Sequence, residues 1–129
     1  MGRVFIGDDV YLENEYPENV EIQDGAQICL RSLLLAHTRG VGKIVIGRNA
    51  FIGANTVITT APGRTVTIGE GAVIATSTVV SSDVPSYTLF GIAKGQPLAR
   101  VTVPLTMETS FDEFVSGLKP LGPLSPKPR

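Results

Sequence analysis

The strongest constraint on the fold of this chain is a six-residue period in its apolar residues. Isoleucine, leucine or valine returns at intervals of six, or of twice six, in two blocks separated by one interruption. The residues are Ile22, Ile28, Leu34, Ile46, Ile52 and Ile58, followed by Ile68, Ile74 and Val80. This period matches neither the 3.6 residues of a helical turn nor the simple alternation of a strand. It is typical of a solenoid in which each unit forms one short strand and one turn.

The residues between the apolar positions favour the same architecture. A small or β-branched residue stands four positions after most of them: Ala26, Ser32, Thr38, Ala50, Thr56, Ala72 and Thr78. Asn, Asp and Gly recur between each apolar residue and the small residue that follows it. These residue types tolerate the positive φ that a tight corner requires. We therefore expect the apolar residues to stack in columns inside a prism. The even spacing of the turns is against a β-sandwich.

Two segments break the period and a third lacks its inward isoleucine, and we expect each to depart from regular coils. Residues 12–16 are too short for a full unit, so the first coil is predicted to be irregular. The segment "TRGVGK" (38–43) lacks an inward isoleucine and is predicted to leave the wall as a short loop. The segment "TTAPGRTVT" (59–67) is longer than a unit and is predicted to bulge, with Pro62-Gly63 at its tip.

The chain changes character after the repeats. Ser110 and Glu113 have capping-box spacing ahead of apolar residues on one face, which predicts a short helix. The final stretch "PLGPLSPKPR" predicts a flexible proline-rich tail. We therefore expect an all-β repeat domain at 1–101, an extension with a short helix at 102–121, and the tail at 122–129.

Composition excludes several classes of function. The net charge is −1 with no basic run, so no nucleic-acid partner is expected. The single cysteine, Cys29, cannot form an internal disulfide or a thiolate metal cluster, and we expect it to be a packed small side chain. No run of about 18 apolar residues is present, so no membrane span is expected. The N-terminus meets acidic residues too early for a signal peptide, and a cytoplasmic setting is expected.

The units "IGRNAF", "IGANTV", "IGEGAV" and "IATSTV" resemble those of the hexapeptide-repeat acyltransferases. The segment "IGEGAVIATSTVVSSDVPSYTLF" is similar to the way that sugar and xenobiotic O-acetyltransferases of this class close their helix. The resemblance covers roughly residues 4–101. It implies a left-handed parallel β-helix that assembles as a homotrimer. It also implies active sites in clefts between neighbouring helices, with acetyl-CoA lying along the groove.

The only histidine, His37, stands where this family keeps its catalytic base, shortly after an inward residue and just before a loop. An imidazole that titrates near neutrality can take the proton from an attacking hydroxyl or amine and return it to the departing thiolate. A carboxylate often orients such a histidine. Glu13, Glu15 and Asp24 are the candidates, although each is expected to be an exposed turn or loop residue, and a backbone carbonyl would serve as well.

The resemblance also suggests where the cofactor would bind. Pantetheine would lie along wall residues near the small positions Gly53, Ala54 and Ala75. The phosphates of CoA need cations, and Lys94, Arg100 and the loop residue Arg64 are the candidates. Here the chain departs from the family, because an ungapped match places Gln96 where the family has its phosphate-binding lysine.

The sequence therefore predicts a CoA-dependent acyltransferase that acts on a hydroxyl or amine of a small or saccharide acceptor, with His37 as general base. The alternative is a trimeric β-helix that serves only as a scaffold or as an accessory module of a biosynthetic system. A zinc enzyme on the same fold is excluded, because one histidine per chain cannot supply three distinct ligand positions. No metal site is expected.

Overall fold

The computed structural model describes residues 2–91 and 96–121. The chain forms two compact units, Met1–Ile92 and Ala93–Arg129. The predicted domain limits at 101 and 121 stay predictions, and the predicted tail at 122–129 lies outside the described residues.

The first unit is a parallel β-solenoid whose strands stack into three sheets. Sheet A contains β1 (Phe5–Ile6), β4 (Gln27–Ile28), β7 (Phe51–Ile52), β10 (Val73–Ile74) and β12 (Leu89–Phe90). Sheet B contains β2 (Tyr11–Leu12), β5 (Leu33–Leu35), β8 (Val57–Thr59) and β11 (Val79–Val80). Sheet C contains β3 (Val20–Ile22), β6 (Lys43–Ile46) and β9 (Thr65–Ile68). The solenoid fold predicted from the period is confirmed.

The core consists of the periodic residues themselves. Ile28, Ile52 and Ile74 are paired in register along sheet A, and all three are fully buried. Leu34, Ile58 and Val80 form the equivalent column on sheet B, and Ile46 and Ile68 belong to the column on sheet C. Each such side chain contributes about 1.5–3 kcal/mol by burial relative to exposure. The repeated burial therefore explains why the period is so regular.

The corners use two different properties of their residues. Asn49 and Asn55 adopt φ of 57° and 59°, so the turn residues do provide the positive φ that the sequence predicts. Gly53 has another role, because a Cβ at that position would lie 2.6 Å from the carbonyl oxygen of Ile74 in the next coil. Glycine at position 53 therefore permits the close approach of the adjacent coil.

The two predicted loops are confirmed, and they contact each other. His37 and Val41 form an isolated antiparallel bridge, so the chain leaves the wall between sheets B and C as a short closed loop. One coil further on, Pro62 and Gly63 form the tip of the longer loop, and the N–H of Gly63 donates to the carbonyl of Val41. Thr38, expected at a wall corner, is instead exposed in the loop, and Ala36 fills the buried position.

The second unit contains the predicted short helix. Strands β13 (Ala99–Val101) and β14 (Leu118–Pro120) pair antiparallel, and helix α1 (Phe111–Ser116) lies between them in sequence. The Ser110 side chain accepts from the N–H of Glu113, and the Glu113 carboxylate accepts from the N–H of Ser110. The capping box predicted from the sequence is confirmed.

Among the described residues, no helix is both long enough and apolar enough to cross a membrane.

Candidate active site

The parallel pairing of sheet B brings Glu13 and His37 together. Leu12 at the end of β2 is in register with Leu34 of β5. Residue 13 therefore leaves the first coil beside the point where residues 35–37 leave the second. Because both segments turn at the same corner, between sheets B and C, their side chains meet there.

The Glu13 carboxylate contacts Nδ1 of the His37 imidazole with both of its oxygens. Oε1 lies 2.8 Å and Oε2 2.7 Å from Nδ1. A carboxylate in this position accepts a hydrogen bond from Nδ1–H, which fixes the orientation of the ring and leaves Nε2 as the nitrogen that can exchange a proton with a substrate. This is the arrangement expected of a histidine that acts as a general base.

Glu13 is held rigidly by the backbone around it. Its side chain is 0% exposed, and its Oε1 accepts from the N–H of Ala36 at 2.8 Å. Its Oε2 accepts from the N–H groups of Glu15 and Tyr16 at 3.1 and 3.2 Å. Burial acts to raise the pKa of this carboxyl, but the hydrogen bonds from His37 and the three backbone amides outweigh it, so the pKa is lowered. The carboxylate therefore stays ionised.

The His37 ring is open to solvent on its other side. Its side chain is 30% exposed, and the Tyr16 ring packs edge-on against it with centroids 5.4 Å apart. Oε2 of Glu15 lies 3.2 Å from Nε2. The hydrogen bond to Glu13 raises the pKa of His37 above its usual value, against a smaller opposing effect of desolvation, and the charges of Glu13 and Glu15 raise it further.

The loop that carries His37 is tied to the coils on either side. Its end is fixed by the N–H of Gly42, which donates to the carbonyl of Ala36 at 2.7 Å. Asn19 of the preceding coil donates to the carbonyl of Gly42 at 2.6 Å. Thr60 of the following coil donates from Oγ1 to the carbonyl of Ala36 at 3.2 Å. His37 therefore stands on a short, braced loop, although the sequence shows only a brief glycine-containing segment there.

The structure distinguishes between the three carboxylates that the sequence left open. Glu13 is the partner of Nδ1, and the expectation that it would be an exposed loop residue is wrong. Glu15 is exposed, as expected, but it reaches Nε2. Asp24 is exposed at the corner between sheets C and A, where its Oδ2 lies 3.9 Å from Nη1 of Arg48. Leu12 pairs with Leu34 in the next coil, and this pairing places residue 13 beside residues 35–37. An alignment of the repeats that recognised this pairing could have identified Glu13 as the partner of His37.

The predicted pantetheine-binding residues lie at another corner. Gly53, Ala54 and Ala75 occupy the turns between sheets A and B, whereas His37 stands where sheet B gives way to sheet C. Within one chain sheet B separates the two groups. The N–H groups of Gly53 and Ala75 already donate to the carbonyls of Ile74 and Phe90 in the next coil. A pantetheine chain at this corner would therefore pack against Gly53 and Ala75 without accepting hydrogen bonds from their N–H groups.

The three cations predicted to bind the phosphates of CoA belong to different segments of the chain. Lys94 lies outside the described residues, and Arg100 is an exposed residue of β13 in the second unit. Arg64 is exposed on the long loop and lines a cleft with Thr65 and Asp83 at the sheet B to sheet C corner of the later coils. All three assignments stay predictions. Cys29 is half-buried at a corner, and its N–H donates to the carbonyl of Ile52.

Within residues 2–91 and 96–121, no three His, Cys, Asp or Glu side chains converge as a metal site would require. The two ring nitrogens of His37 instead lie 2.7 Å from a carboxylate oxygen of Glu13 and 3.2 Å from one of Glu15.

Comparison with known proteins found two curated relatives. The chain is 36% identical over 88 residues to "Putative acetyltransferase YvoF" of Bacillus subtilis (strain 168), a match that covers 64% of this chain and 47% of that protein. It is 53% identical over 47 residues to "Bifunctional protein GlmU" of Maricaulis maris (strain MCS10), which covers 36% of this chain and 10% of that protein. The chain thus spans about half or less of the length of these relatives.

No protein-family model matches the chain, and no solved structure matches it. The hexapeptide period, the parallel solenoid and the two relatives are mutually consistent, and together they fit membership of the hexapeptide-repeat acyltransferase superfamily.

Proposed function

We propose that this protein transfers an acetyl or other acyl group from acyl-CoA to a hydroxyl or amine of a small or saccharide acceptor, with His37 as general base. The observation that carries the proposal is the contact between the buried Glu13 carboxylate and Nδ1 of His37 at 2.7 Å. A buried carboxylate is costly unless it is fully bonded, so a carboxylate held by three amides and an imidazole is a specific arrangement. The similarity to a protein named as an acetyltransferase supports the same activity.

The reaction follows from the geometry of the ring. With Nδ1–H donated to Glu13, the neutral imidazole presents the lone pair of Nε2 to the acceptor. As the acceptor oxygen or nitrogen attacks the thioester carbonyl carbon, Nε2 takes its proton. The carbon–sulfur bond then breaks, and the imidazolium returns the proton to the departing thiolate. No covalent intermediate on the protein is needed, and Glu13 stabilises the transient imidazolium.

We further propose that the site is shared between copies in a homotrimer. In a closed ring of three, each copy contacts its neighbours through two different faces and leaves a third face to solvent. The outward residues of sheet A are mostly apolar, namely Phe5, Phe51, Val73 and Leu89, with one glutamine. Those of sheet B include Leu33, Val57 and Val79.

The outward residues of sheet C are different in character. They include Glu21, Lys43, Thr65 and Thr67, and Nζ of Lys43 lies 3.9 Å from Oε1 of Glu21. Two apolar faces and one polar face are what a cyclic trimer of prisms requires. For the site to be shared as proposed, the Gly53, Ala54 and Ala75 corner of one copy must lie beside the His37 corner of the next, with acetyl-CoA between them.

The experiment is acyl-CoA binding followed by turnover. Isothermal titration of acetyl-CoA should show saturable binding. Thiol release over a panel of hydroxyl and amine acceptors should depend on His37, with His37→Ala as the control. The alternative, a trimeric scaffold without activity, is supported instead if acetyl-CoA does not bind or if the variant is as active as the parent. A cytoplasmic location remains part of the proposal.

A further inference from the structure

The carboxylate of Glu15 occupies the side of His37 that an acceptor must approach. Any nucleophile that gives its proton to Nε2 has to come within hydrogen-bond distance of that atom. Oε2 of Glu15 already lies 3.2 Å from Nε2. The attacking atom of the acceptor would therefore be placed next to a carboxylate as well as next to the base.

The position of Glu15 is fixed by the same group that orients the base. Its backbone N–H donates to Oε2 of Glu13 at 3.1 Å, and Oε2 of Glu13 also contacts Nδ1 of His37 at 2.7 Å. The next residue, Tyr16, donates its N–H to the same oxygen and packs its ring against the imidazole. Glu15 thus starts from a backbone position that is held relative to the ring, while its side chain is 64% exposed and can turn toward an incoming molecule.

The number of protons on the nucleophile decides which acceptor suits this arrangement. An ionised carboxylate only accepts hydrogen bonds. A hydroxyl has one proton, and once that proton is directed to Nε2 the oxygen lone pairs face the carboxylate oxygens of Glu15. A primary amine has two protons, so it can direct one to Nε2 and donate the other to Glu15. If the amine arrives as an ammonium, its charge also favours Glu15 before it loses a proton to solvent.

We propose that Glu15 is a specificity-determining residue that selects a primary amine over a hydroxyl as the acceptor nucleophile. This inference rests on the proposed acyl transfer with His37 as base. The amine nitrogen attacks the carbonyl carbon of the acyl thioester and forms a carbon–nitrogen bond. One N–H proton passes to Nε2, the carbon–sulfur bond breaks, and the thiolate leaves with that proton. The products are an amide and a free thiol, with no change in oxidation state.

The test compares acceptors that differ only in the nucleophilic atom. Thiol release from acetyl-CoA is measured with matched pairs on one carbon skeleton, such as amino sugars with their parent sugars and amino alcohols with the corresponding diols. The full chain is expected to favour the amine member of a pair by about tenfold or more in kcat/KM, as a charge-assisted hydrogen bond would give.

The variant Glu15→Gln separates charge from shape. A glutamine amide can donate to a hydroxyl oxygen, so the amine-to-hydroxyl ratio is expected to fall by about tenfold. The matched control is Glu18→Gln, which removes the same charge from an exposed position in the adjacent turn Pro17–Asn19 and should leave the ratio unchanged.

The outcomes distinguish the two proposals. If thiol release depends on His37 but hydroxyl acceptors are used as well as amines, or if Glu15→Gln leaves the ratio unchanged, the selection by Glu15 is wrong and the acyl transfer stands. If no pair releases thiol above the rate of His37→Ala, the acyl transfer itself is wrong and the role of Glu15 falls with it.

Discussion

The buried Glu13 carboxylate of one coil pairs with the partly exposed His37 imidazole of the next, with Oε2 and Nδ1 2.7 Å apart. The same carboxylate accepts three backbone N–H groups from residues 15, 16 and 36. One side chain thus joins the irregular first coil to the loop of the second and sets the direction in which the ring points.

Removal of this carboxylate should affect both stability and turnover. Glu13→Ala leaves three backbone amides and the imidazole without their acceptor, and it should lower the free energy of unfolding by about 3 kcal/mol. Glu13→Gln keeps the shape and one acceptor oxygen, so it should cost less stability while still lowering kcat. Urea denaturation and thiol release on the same samples measure the two effects. A Glu13→Gln protein with unchanged kcat and pH profile would show that Glu13 is structural only.

The pH dependence of kcat/KM should reflect the effect of Glu13 and Glu15 on the pKa of His37. The hydrogen bond to Glu13 raises the pKa of His37, and the nearby charge of Glu15 acts in the same direction. The base must be neutral, so kcat/KM should rise with pH through an apparent pKa above the usual value of about 6.5. Glu15→Gln should move that midpoint to lower pH, and Glu18→Gln should not. An apparent pKa unchanged by Glu15→Gln would mean that the carboxylate does not face the ring in solution.

The close approach of adjacent coils predicts a cost for a single methyl group. Gly53→Ala would bring its Cβ to 2.6 Å from the Ile74 carbonyl oxygen, a backbone atom, and it should destabilise the protein by about 2–3 kcal/mol. Gly63→Ala is the comparison, because no atom lies within 4 Å of its added Cβ and only the φ of 71° opposes it. That substitution should cost about 1 kcal/mol. The two unfolding midpoints, measured in urea, should differ in this order. Equal midpoints would contradict the packing account.

The contrast between the faces of the prism predicts which substitutions prevent assembly. Val79→Lys places a charge on the apolar face of sheet B, at a residue that is 64% exposed in the single chain. It should convert a trimer to smaller species in sedimentation velocity. Thr65→Lys, on the polar face of sheet C, should leave the trimer intact. A parent protein that sediments as a monomer at micromolar concentration would contradict both the trimer and the shared site.

The sequence predicts the fold well because burial and periodicity are the same fact in a solenoid. Ile28, Ile52 and Ile74 recur in sequence because they stack in space, so reading the period locates the core. The corner residues were also predictable, because the positive φ of Asn49 and Asn55 follows from their residue type. The role of a glycine that follows an inward isoleucine was not predictable in this way. Gly53 permits the close approach of the neighbouring coil, and that contact cannot be seen in a single repeat.

The candidate site was predictable only in part. His37 was identified because it is the one histidine and stands at a step in the repeat. Glu13 was considered but expected to be exposed, because a carboxylate in an irregular segment is usually solvated. The N–H groups of residues 15 and 16 are local to Glu13, but the N–H group of residue 36 and the His37 ring belong to the second coil, and they reach the carboxylate only when the first coil stacks on the second. A property that arises from stacking has no local sequence signal.

The most direct test of the central claim is thiol release from acetyl-CoA by His37→Ala, measured with and without added imidazole at a pH where the parent is fully active. General-base catalysis contributes about 10²–10⁴-fold, so the variant should lose at least a hundredfold in kcat. Free imidazole that enters the vacated space should restore part of that rate, while unfolding stability stays close to that of the parent. A variant with the rate of the parent would contradict the assignment of His37 as the base.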